Sequence, residues 1–191
     1  MNVLAFYKIL YLAWVFSEIA ILVVTRTRQG GGDIQDRGSL RILWLVILVS
    51  VSVGSYYGET HPHTIDPNTP WAQAAALIPL ILGLAIRWTA IVTLGRSFSA
   101  NVAIHATQTV HKTGVFRFVR HPSYSGLILI FAAIALHTRN WIGFAIVLIP
   151  TVAALFYRIR VEESALRRAF GRDYDDYSKT TKCLKIGRAH V

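Results

Sequence analysis

The run WAQAAALIPLILGLAIRWTAIVTL, from Trp71 to Leu94, contains a single charged residue, Arg87. Because hydrocarbon offers no water to backbone N–H and C=O groups, a segment that crosses a bilayer pairs them internally as a helix of roughly 20 residues. The run therefore predicts a transmembrane helix, and it assigns the chain to the all-α membrane proteins.

Other apolar runs flank this one. They cover Leu4–Val24, Leu40–Tyr57, Tyr124–His137 and Trp141–Tyr157. The tight turn at His137–Asn140 predicts a C-terminal helical hairpin whose first helix begins near Pro122, a residue tolerated in a helix's first turn. Since that first arm is short, a re-entrant hairpin stays open beside a spanning one. The prediction is an integral membrane bundle of about five transmembrane helices.

The segment Val161–Tyr177 places apolar residues at helical spacing and interleaves them with arginines. This pattern predicts a basic amphipathic helix that lies along the cytoplasmic membrane surface or caps the bundle. We expect one structural unit, with three N-terminal transmembrane helices in residues 1–94 and the chemistry in residues 95–191.

Composition agrees with a membrane protein. Of 191 residues, 53% are hydrophobic and 16% charged, yet the net charge is +10. The basic residues flank apolar runs instead of forming a separate basic domain, which argues against nucleic acid as a partner and for contact with membrane lipids. Cys183 is the single cysteine, so no intrachain disulfide is expected.

Loops that are rich in lysine and arginine alternate along the chain with loops that have few or none. The loops after the first and third runs are basic, whereas Gly58–Pro70 contains neither residue. By the positive-inside rule, the N-terminus is expected outside, and the C-terminus and active site in the cytoplasm. The N-terminus lacks the basic n-region and the small-residue cleavage site of a signal peptide, so we interpret the first run as an uncleaved span.

The densest cluster of polar residues is Gly114-Val115-Phe116-Arg117-Phe118-Val119-Arg120-His121-Pro122-Ser123-Tyr124-Ser125-Gly126. It lies where a cytoplasmic loop becomes a helix. The N–H groups of a helix N-terminus suit an anionic ligand group. A basic interfacial anchor followed by a proline helix start explains the same pattern, and both interpretations stay open.

A second cluster, Arg158-Ile159-Arg160-Val161-Glu162-Glu163, follows the last apolar run. Arg158 and Glu162 share one helix face, whereas Glu163 points about 100° away. The pair is either a plain ion pair at a helix end or a divided site. In the divided site the guanidinium holds an anionic substrate and a carboxylate holds a cationic cofactor group.

Other features are weaker. Gly30-Gly31-Gly32 follows no predicted strand, so a flexible turn is expected. His61 and His63 lack further ligands at useful spacing, and no metal site is predicted. Glu18 and Arg87 are charges within apolar runs and therefore candidates for function, although Arg87 is close enough to a helix end to snorkel.

Taken together, the two clusters resemble the motifs of the isoprenylcysteine carboxyl methyltransferase family, and the related phospholipid methyltransferases look similar. The resemblance covers roughly Leu94–Tyr177 and includes the later Phe170-Gly171, Tyr174 and Tyr177. It implies a helical membrane bundle with a cytoplasmic pocket for S-adenosyl-L-methionine. The implied cofactor contacts are Gln108, Thr109, Val110, His111, Phe116, His121, Pro122, Ser123, Tyr124 and Glu162. Arg158 is implied to orient the substrate's anionic group.

Some positions depart from the family pattern. Gln108 stands where histidine is common, His111 where an aliphatic residue is common, and Phe116 where tyrosine is common. Asn101, Arg120 and Glu163 are further possible contacts.

The predicted function is methyl transfer to the carboxylate of an isoprenylcysteine-like lipidic substrate that enters from the bilayer. Phospholipid N-methylation or small-thiol S-methylation on the same fold are alternatives. A non-enzymatic membrane scaffold or transporter subunit is a more distant one. Because a carboxylate is already ionised at neutral pH, its methylation needs positioning and exclusion of water but no general base.

Overall fold

The structure, a computed structural model, describes residues 3–27, 33–34, 38–65, 70–95, 98, 103–104 and 109–184. Within these ranges the chain is almost entirely helical. The helices are α1 (Val3–Thr27), α2 (Ser39–Thr60), α3 (Pro70–Leu94), α4 (Pro122–His137), α5 (Trp141–Phe170) and α6 (Arg172–Thr180). A 3₁₀ turn spans Gly114–Arg117, and two short strands, β1 (Asp33–Ile34) and β2 (Ala103–Ile104), form an antiparallel pair.

Four of these helices, α1, α2, α3 and α5, are long and apolar enough to cross a membrane. The fifth apolar helix, α4, has only 16 residues. It nevertheless reaches from one end of the bundle to the other, because His137 at its C-terminus stacks on Tyr7 near the start of α1. This geometry favours a hairpin whose first helix spans the bundle over a re-entrant hairpin.

The connections alternate between the two ends of the bundle, as the sequence predicts. At one end, β1 from the first loop pairs with β2 from the third loop. At the other end, the backbone N–H groups of Thr64 and Ile65 donate to the carbonyl of Arg139 in the α4–α5 turn. Asn140 begins α5 by accepting hydrogen bonds from the N–H groups of Ile142 and Gly143 at 2.9 and 3.3 Å.

Small residues allow two pairs of helices to approach closely. On α2, a Cβ added at Gly54 would lie 2.4 Å from Cγ2 of Val147 on α5. On α4, a Cβ at Gly126 would lie 2.7 Å from the carbonyl oxygen of Gly83 on α3. Such contacts between small residues are a main source of helix association in lipid, where apolar surface alone gives little driving force.

The predicted amphipathic helix over Val161–Tyr177 is wrong as one separate element. Residues 161–170 continue α5, which runs unbroken for 30 residues, and α6 begins only after Gly171. Gly171 has φ +50° and ψ −123°, a conformation that glycine tolerates and other residues rarely adopt. The helical periodicity was therefore correct, but the chain turns inside the segment and buries Tyr174 and Tyr177 against the bundle.

The close α3–α4 contact is testable by Gly126→Ala. The added methyl group would meet the backbone of Gly83 and Arg87 at 2.7–2.8 Å, so the two helices must separate. We expect the free energy of unfolding in detergent to fall by about 1–3 kcal/mol, the usual effect of overpacking. Ala153→Val adds volume at an exposed position of α5 and serves as control. Equal stability of Gly126→Ala and the wild type would show that the helices are not in contact there.

Candidate active site

The two clusters singled out in the sequence meet in space. Tyr124, in the first turn of α4, donates a 2.7 Å hydrogen bond from its hydroxyl to Oε2 of Glu162 on α5. His121 Nε2 lies 3.2 Å from Oε1 of Glu163, and Arg120 Nε donates to the same oxygen at 2.9 Å. The expectation that the two segments lie together on one side of the bundle is confirmed.

Arg120 binds the segment that follows α6 and holds it against the start of α4. Its Nη1 donates to the backbone carbonyls of Ser178, at 2.9 Å, and of Thr181. The backbone N–H groups of Arg120 and His121 donate to the carbonyls of Lys182 and Cys183 at 2.8 and 3.1 Å. The chain after α6 is thus held against the start of α4.

The protonation states around Arg120 follow from burial and neighbouring charge. Burial is the largest single effect and lowers the pKa of the Arg120 guanidinium, but the hydrogen bond to Glu163 and the neighbouring charges, chiefly that of Glu163, together raise it above its ordinary value. Burial raises the pKa of Tyr177 to about 12 and also raises the pKa of the Cys183 thiol. At neutral pH Arg120 is therefore charged, and Tyr177 keeps the proton that it donates to the carbonyl of Phe116 at 2.5 Å.

A cavity lies between the meeting clusters and the N-terminal helices. Many of the residues predicted from sequence line it, and these are Thr109, Val110, His111, Phe116, Arg120, His121, Pro122, Ser123, Tyr124, Arg158 and Glu162. Glu163 is not among its lining residues, because its carboxylate turns toward Arg120 and His121. Asn101 and Gln108 lie outside the described residues.

Arg158 and Glu162 reach the cavity from one face of α5, as their spacing predicts. Arg158 is only 1% exposed, and its Nη1 donates to the hydroxyl of Ser39 at the start of α2. A buried guanidinium that is held by neighbouring side chains has a defined orientation, which suits the binding of a planar anion.

The N-terminal helices supply a buried ion pair at the cavity. Arg87 on α3 binds Glu18 on α1 through Nε and Nη2, the latter at 2.5 Å. Its Nη1 donates to the hydroxyl of Ser123 at 2.7 Å, and Trp14 Nε1 donates to Glu18 at 3.0 Å. The snorkelling interpretation of Arg87 is wrong, since the residue is 6% exposed and paired inside the bundle.

Sequence reasoning missed the apolar wall of the cavity. It is formed by Ile21, Leu22, Leu40, Leu43, Trp44, Ile47, Leu94, Phe98, Leu127, Phe131, Leu166 and Phe170. Those from α1 and α2 could not be told from lipid-facing residues, because both kinds are apolar. Periodicity within α2 gave a weak signal: Leu40, Leu43, Trp44 and Ile47 recur at the spacing of one helix face.

Tyr174 belongs to the motif that carries the family resemblance, but it was not predicted as a site residue, because Val161–Tyr177 was expected to lie along the membrane surface or cap the bundle. It lines the cavity and is 2% exposed, and its hydroxyl makes no hydrogen bond of good geometry within the described residues, although the guanidinium of Arg120 lies near it. A buried polar group of this kind is costly unless a ligand or water satisfies it. The hydroxyl is therefore a feature that a polar ligand would complete.

Three potential metal ligands also come together in the described part of the chain. Ligand atoms of His121, Glu163 and Cys183 lie within 4.8 Å of one another. Arg120 already neutralises Glu163 at 2.8 Å, so a divalent cation there would face a neighbouring guanidinium. The geometry therefore favours an ion pair between Arg120 and Glu163 that joins the start of α4 to α5, and not a metal centre.

Comparisons with known proteins agree with this architecture. The sequence model of the Isoprenylcysteine carboxyl methyltransferase (ICMT) family matches residues 75–168. Protein-S-isoprenylcysteine O-methyltransferase B of Arabidopsis thaliana is 36% identical over 176 residues, which cover 89% of this chain and 87% of that protein. A probable protein-S-isoprenylcysteine O-methyltransferase of Oryza sativa subsp. indica is 37% identical over 108 residues. That alignment covers 54% of this chain and 55% of the rice protein, so the chain spans about half the length of this relative.

A solved structure shares the fold. It is described as the eukaryotic intramembrane Ras methyltransferase ICMT without a monobody. The TM-score is 0.61 at 23% sequence identity, and the match covers 96% of this chain and 66% of the other. The fold is therefore that of an integral membrane helical bundle. With the Arabidopsis alignment extending over most of both proteins, the chain belongs to the isoprenylcysteine carboxyl methyltransferase family.

Proposed function

We propose that the protein transfers a methyl group from S-adenosyl-L-methionine to the carboxylate of an isoprenylcysteine-like lipidic substrate. The observation that carries the proposal is one cavity with two kinds of wall. Its polar wall holds Arg158 and Glu162 beside the start of α4, and its apolar wall comes mainly from α1, α2 and α4, with further residues from α3 and α5. An acceptor that joins a carboxylate to a long hydrocarbon chain matches both walls.

The polar wall fits the cofactor. S-Adenosyl-L-methionine carries a cationic amino group, a sulfonium, a carboxylate and an aromatic base. Glu162 offers a carboxylate for the cationic groups, and Phe116, His111 and Tyr124 offer aromatic faces. The hydroxyl of Tyr174 offers a polar group that makes no hydrogen bond of good geometry within the described residues. Thr109, Val110, His121, Pro122 and Ser123 complete the proposed contacts, and Asn101 and Gln108 stay proposals from the sequence alone.

The chain's own residues supply positioning. When bound, the cofactor provides an electrophilic methyl group, which a carboxylate oxygen accepts with release of a neutral thioether and no proton transfer. Arg158, fixed by Ser39, orients the acceptor carboxylate and leaves an oxygen lone pair available. Tyr124 holds Glu162 in place, and the apolar wall keeps water from the reacting groups.

We further propose that the site end of the bundle faces the cytoplasm and that the N-terminus lies outside. Lys112, Arg117 and Arg120 lie at the site end, with the arginines of the α5 extension, whereas Arg139 lies at the opposite end. This distribution follows the positive-inside rule. The hydrocarbon part of the substrate then enters sideways from the bilayer, between helices.

Replacing Glu162 by glutamine tests the cofactor site. Glu162→Gln keeps the shape and the acceptor for Tyr124 but removes the negative charge that would face a cationic ligand. We expect the Kd for S-adenosyl-L-methionine to rise at least about tenfold in calorimetry on detergent-purified protein. Glu59→Gln, at an exposed carboxylate near the far end of α2, is the control and should bind normally. Unchanged affinity of Glu162→Gln would remove the residue from the cofactor site.

Arg158→Lys tests the proposed acceptor clamp, which is the guanidinium of Arg158 holding the acceptor carboxylate. Lysine keeps the charge but loses the planar fork that can hold two oxygens at once. We expect kcat/KM for an S-prenylated cysteine to fall about 100-fold while cofactor affinity is retained. Arg160→Lys, at an exposed position two residues away, controls for the local change in helix α5. Normal turnover by Arg158→Lys would contradict the assigned role.

The pH dependence of the rate distinguishes the possible acceptors. A carboxylate is ionised well below neutrality, so its methylation should be nearly independent of pH above about pH 6. An amine of a phospholipid head group must lose a proton before attack, and its rate should rise with pH. We expect a flat profile with an S-prenylated cysteine. A steep rise together with activity on phosphatidylethanolamine would favour phospholipid N-methylation instead.

A further inference from the structure

Trp44 presents an unusual polar group in the apolar wall. It lines the cavity from α2, on the same helix face as Leu40, Leu43 and Ile47. Its indole Nε1 is buried and has no hydrogen-bond acceptor among the described residues. Since an indole N–H can only donate, and a buried donor without an acceptor is costly, the structure calls for an explanation of this group.

A role as interfacial anchor does not explain Trp44. Tryptophans near helix ends commonly turn their N–H toward lipid head groups and water. The Nε1 atom of Trp44 is instead enclosed by protein. Trp88 shows the contrasting case, because it is 37% exposed and its Nε1 donates to the hydroxyl of Ser17 at 3.2 Å.

The position of Trp44 relates it to the proposed acceptor clamp. Ser39, which receives a hydrogen bond from Arg158, begins the same helix five residues earlier. Five residues correspond to about 7.5 Å along a helix and to a turn of about 140° around it, so the side chains of Ser39 and Trp44 leave the helix in different directions. Trp44 and Arg158 nevertheless line the same cavity, so a ligand that occupies it can meet both side chains.

We propose that the indole N–H of Trp44 donates a hydrogen bond to the substrate carboxylate that Arg158 orients, and so favours carboxylate over amine acceptors. The inference rests on the proposed function and deepens it. Trp44 lies outside residues 75–168, the part of the chain that the family's sequence model matches. A donor-only group stabilises a bound carboxylate, but it offers nothing to the N–H groups of an amine head group. Trp44 is thus a specificity-determining residue supplied by the N-terminal helices.

The test compares wild type, Trp44→Phe and the matched control Trp88→Phe, each purified in detergent. Two ligands are used: an S-prenylated, N-acylated cysteine, and its analogue without the carboxyl group. Trp44→Phe should weaken binding of the carboxylate ligand about tenfold and leave binding of the analogue unchanged. Trp88→Phe should bind both ligands as the wild type does. Cofactor affinity should be the same in all three proteins.

A second measurement uses the wild type alone and does not depend on how a variant folds. With ¹⁵N-labelled indole, the Nε1–H resonance of Trp44 should move downfield when the carboxylate ligand is added, and stay in place with the analogue. Equal losses for both ligands in Trp44→Phe, or no movement of the resonance, would overturn the inference and leave the proposed function standing. A wild type that binds the cofactor but neither methylates nor binds the prenylated cysteine would overturn the proposed function itself.

Discussion

Two adjacent carboxylates on the extension of α5 determine how the site is built. Consecutive helical residues point about 100° apart, so Glu162 and Glu163 bind different partners. Glu163 binds Arg120 and His121 and draws the start of α4 against α5. Glu162 is left facing the cavity, held by the hydroxyl of Tyr124. One carboxylate therefore fixes the scaffold, and its neighbour is available to a ligand.

The ion pair between Glu18 and Arg87 makes the N-terminal helices part of the same site. Charges inside an apolar bundle are expensive, and removing one partner leaves the other uncompensated. Here Arg87 also donates to Ser123, so α1, α3 and the start of α4 are fixed relative to one another around the cavity. Only the C-terminal half carries recognisable motifs, yet the cavity that those motifs line is closed by helices from the other half.

The sequence predicted those features that depend on local pattern. Apolar runs located the helices, Pro122 located the start of α4, and the spacing of Arg158 and Glu162 placed both on one face. Features that depend on distant partners escaped prediction. Glu18 and Arg87 are 69 residues apart, and nothing in an apolar run indicates which charge will meet another. The cavity-lining residues of α1 and α2 could not be predicted either, because residues that face lipid and residues that line this part of the cavity are both apolar.

The break in the C-terminal segment shows a different limit. Helical spacing was maintained from Val161 to Tyr177, so periodicity alone could not reveal a turn. Gly171 was visible in the sequence, but a glycine within a helical pattern does not by itself indicate a break. The backbone angles at Gly171 redirect the chain, and Tyr174 then lines the cavity. The part of the cavity wall that α6 contributes thus depends on the backbone conformation of Gly171.

Charge balance in the cavity gives a physical reason to favour a carboxylate acceptor. Glu18 and Arg87 neutralise each other, as do Glu163 and Arg120, and Arg158 and Glu162 contribute one charge of each sign. A sulfonium cofactor with a net positive charge and a carboxylate substrate also sum to zero, so the loaded site would bury no net charge. The proposed reaction then converts an anion and a cation into neutral groups, and an apolar wall favours such a change because it stabilises separated charges poorly. A protonated amine beside the same sulfonium would place two like charges in this environment, which the arrangement of side chains does nothing to offset.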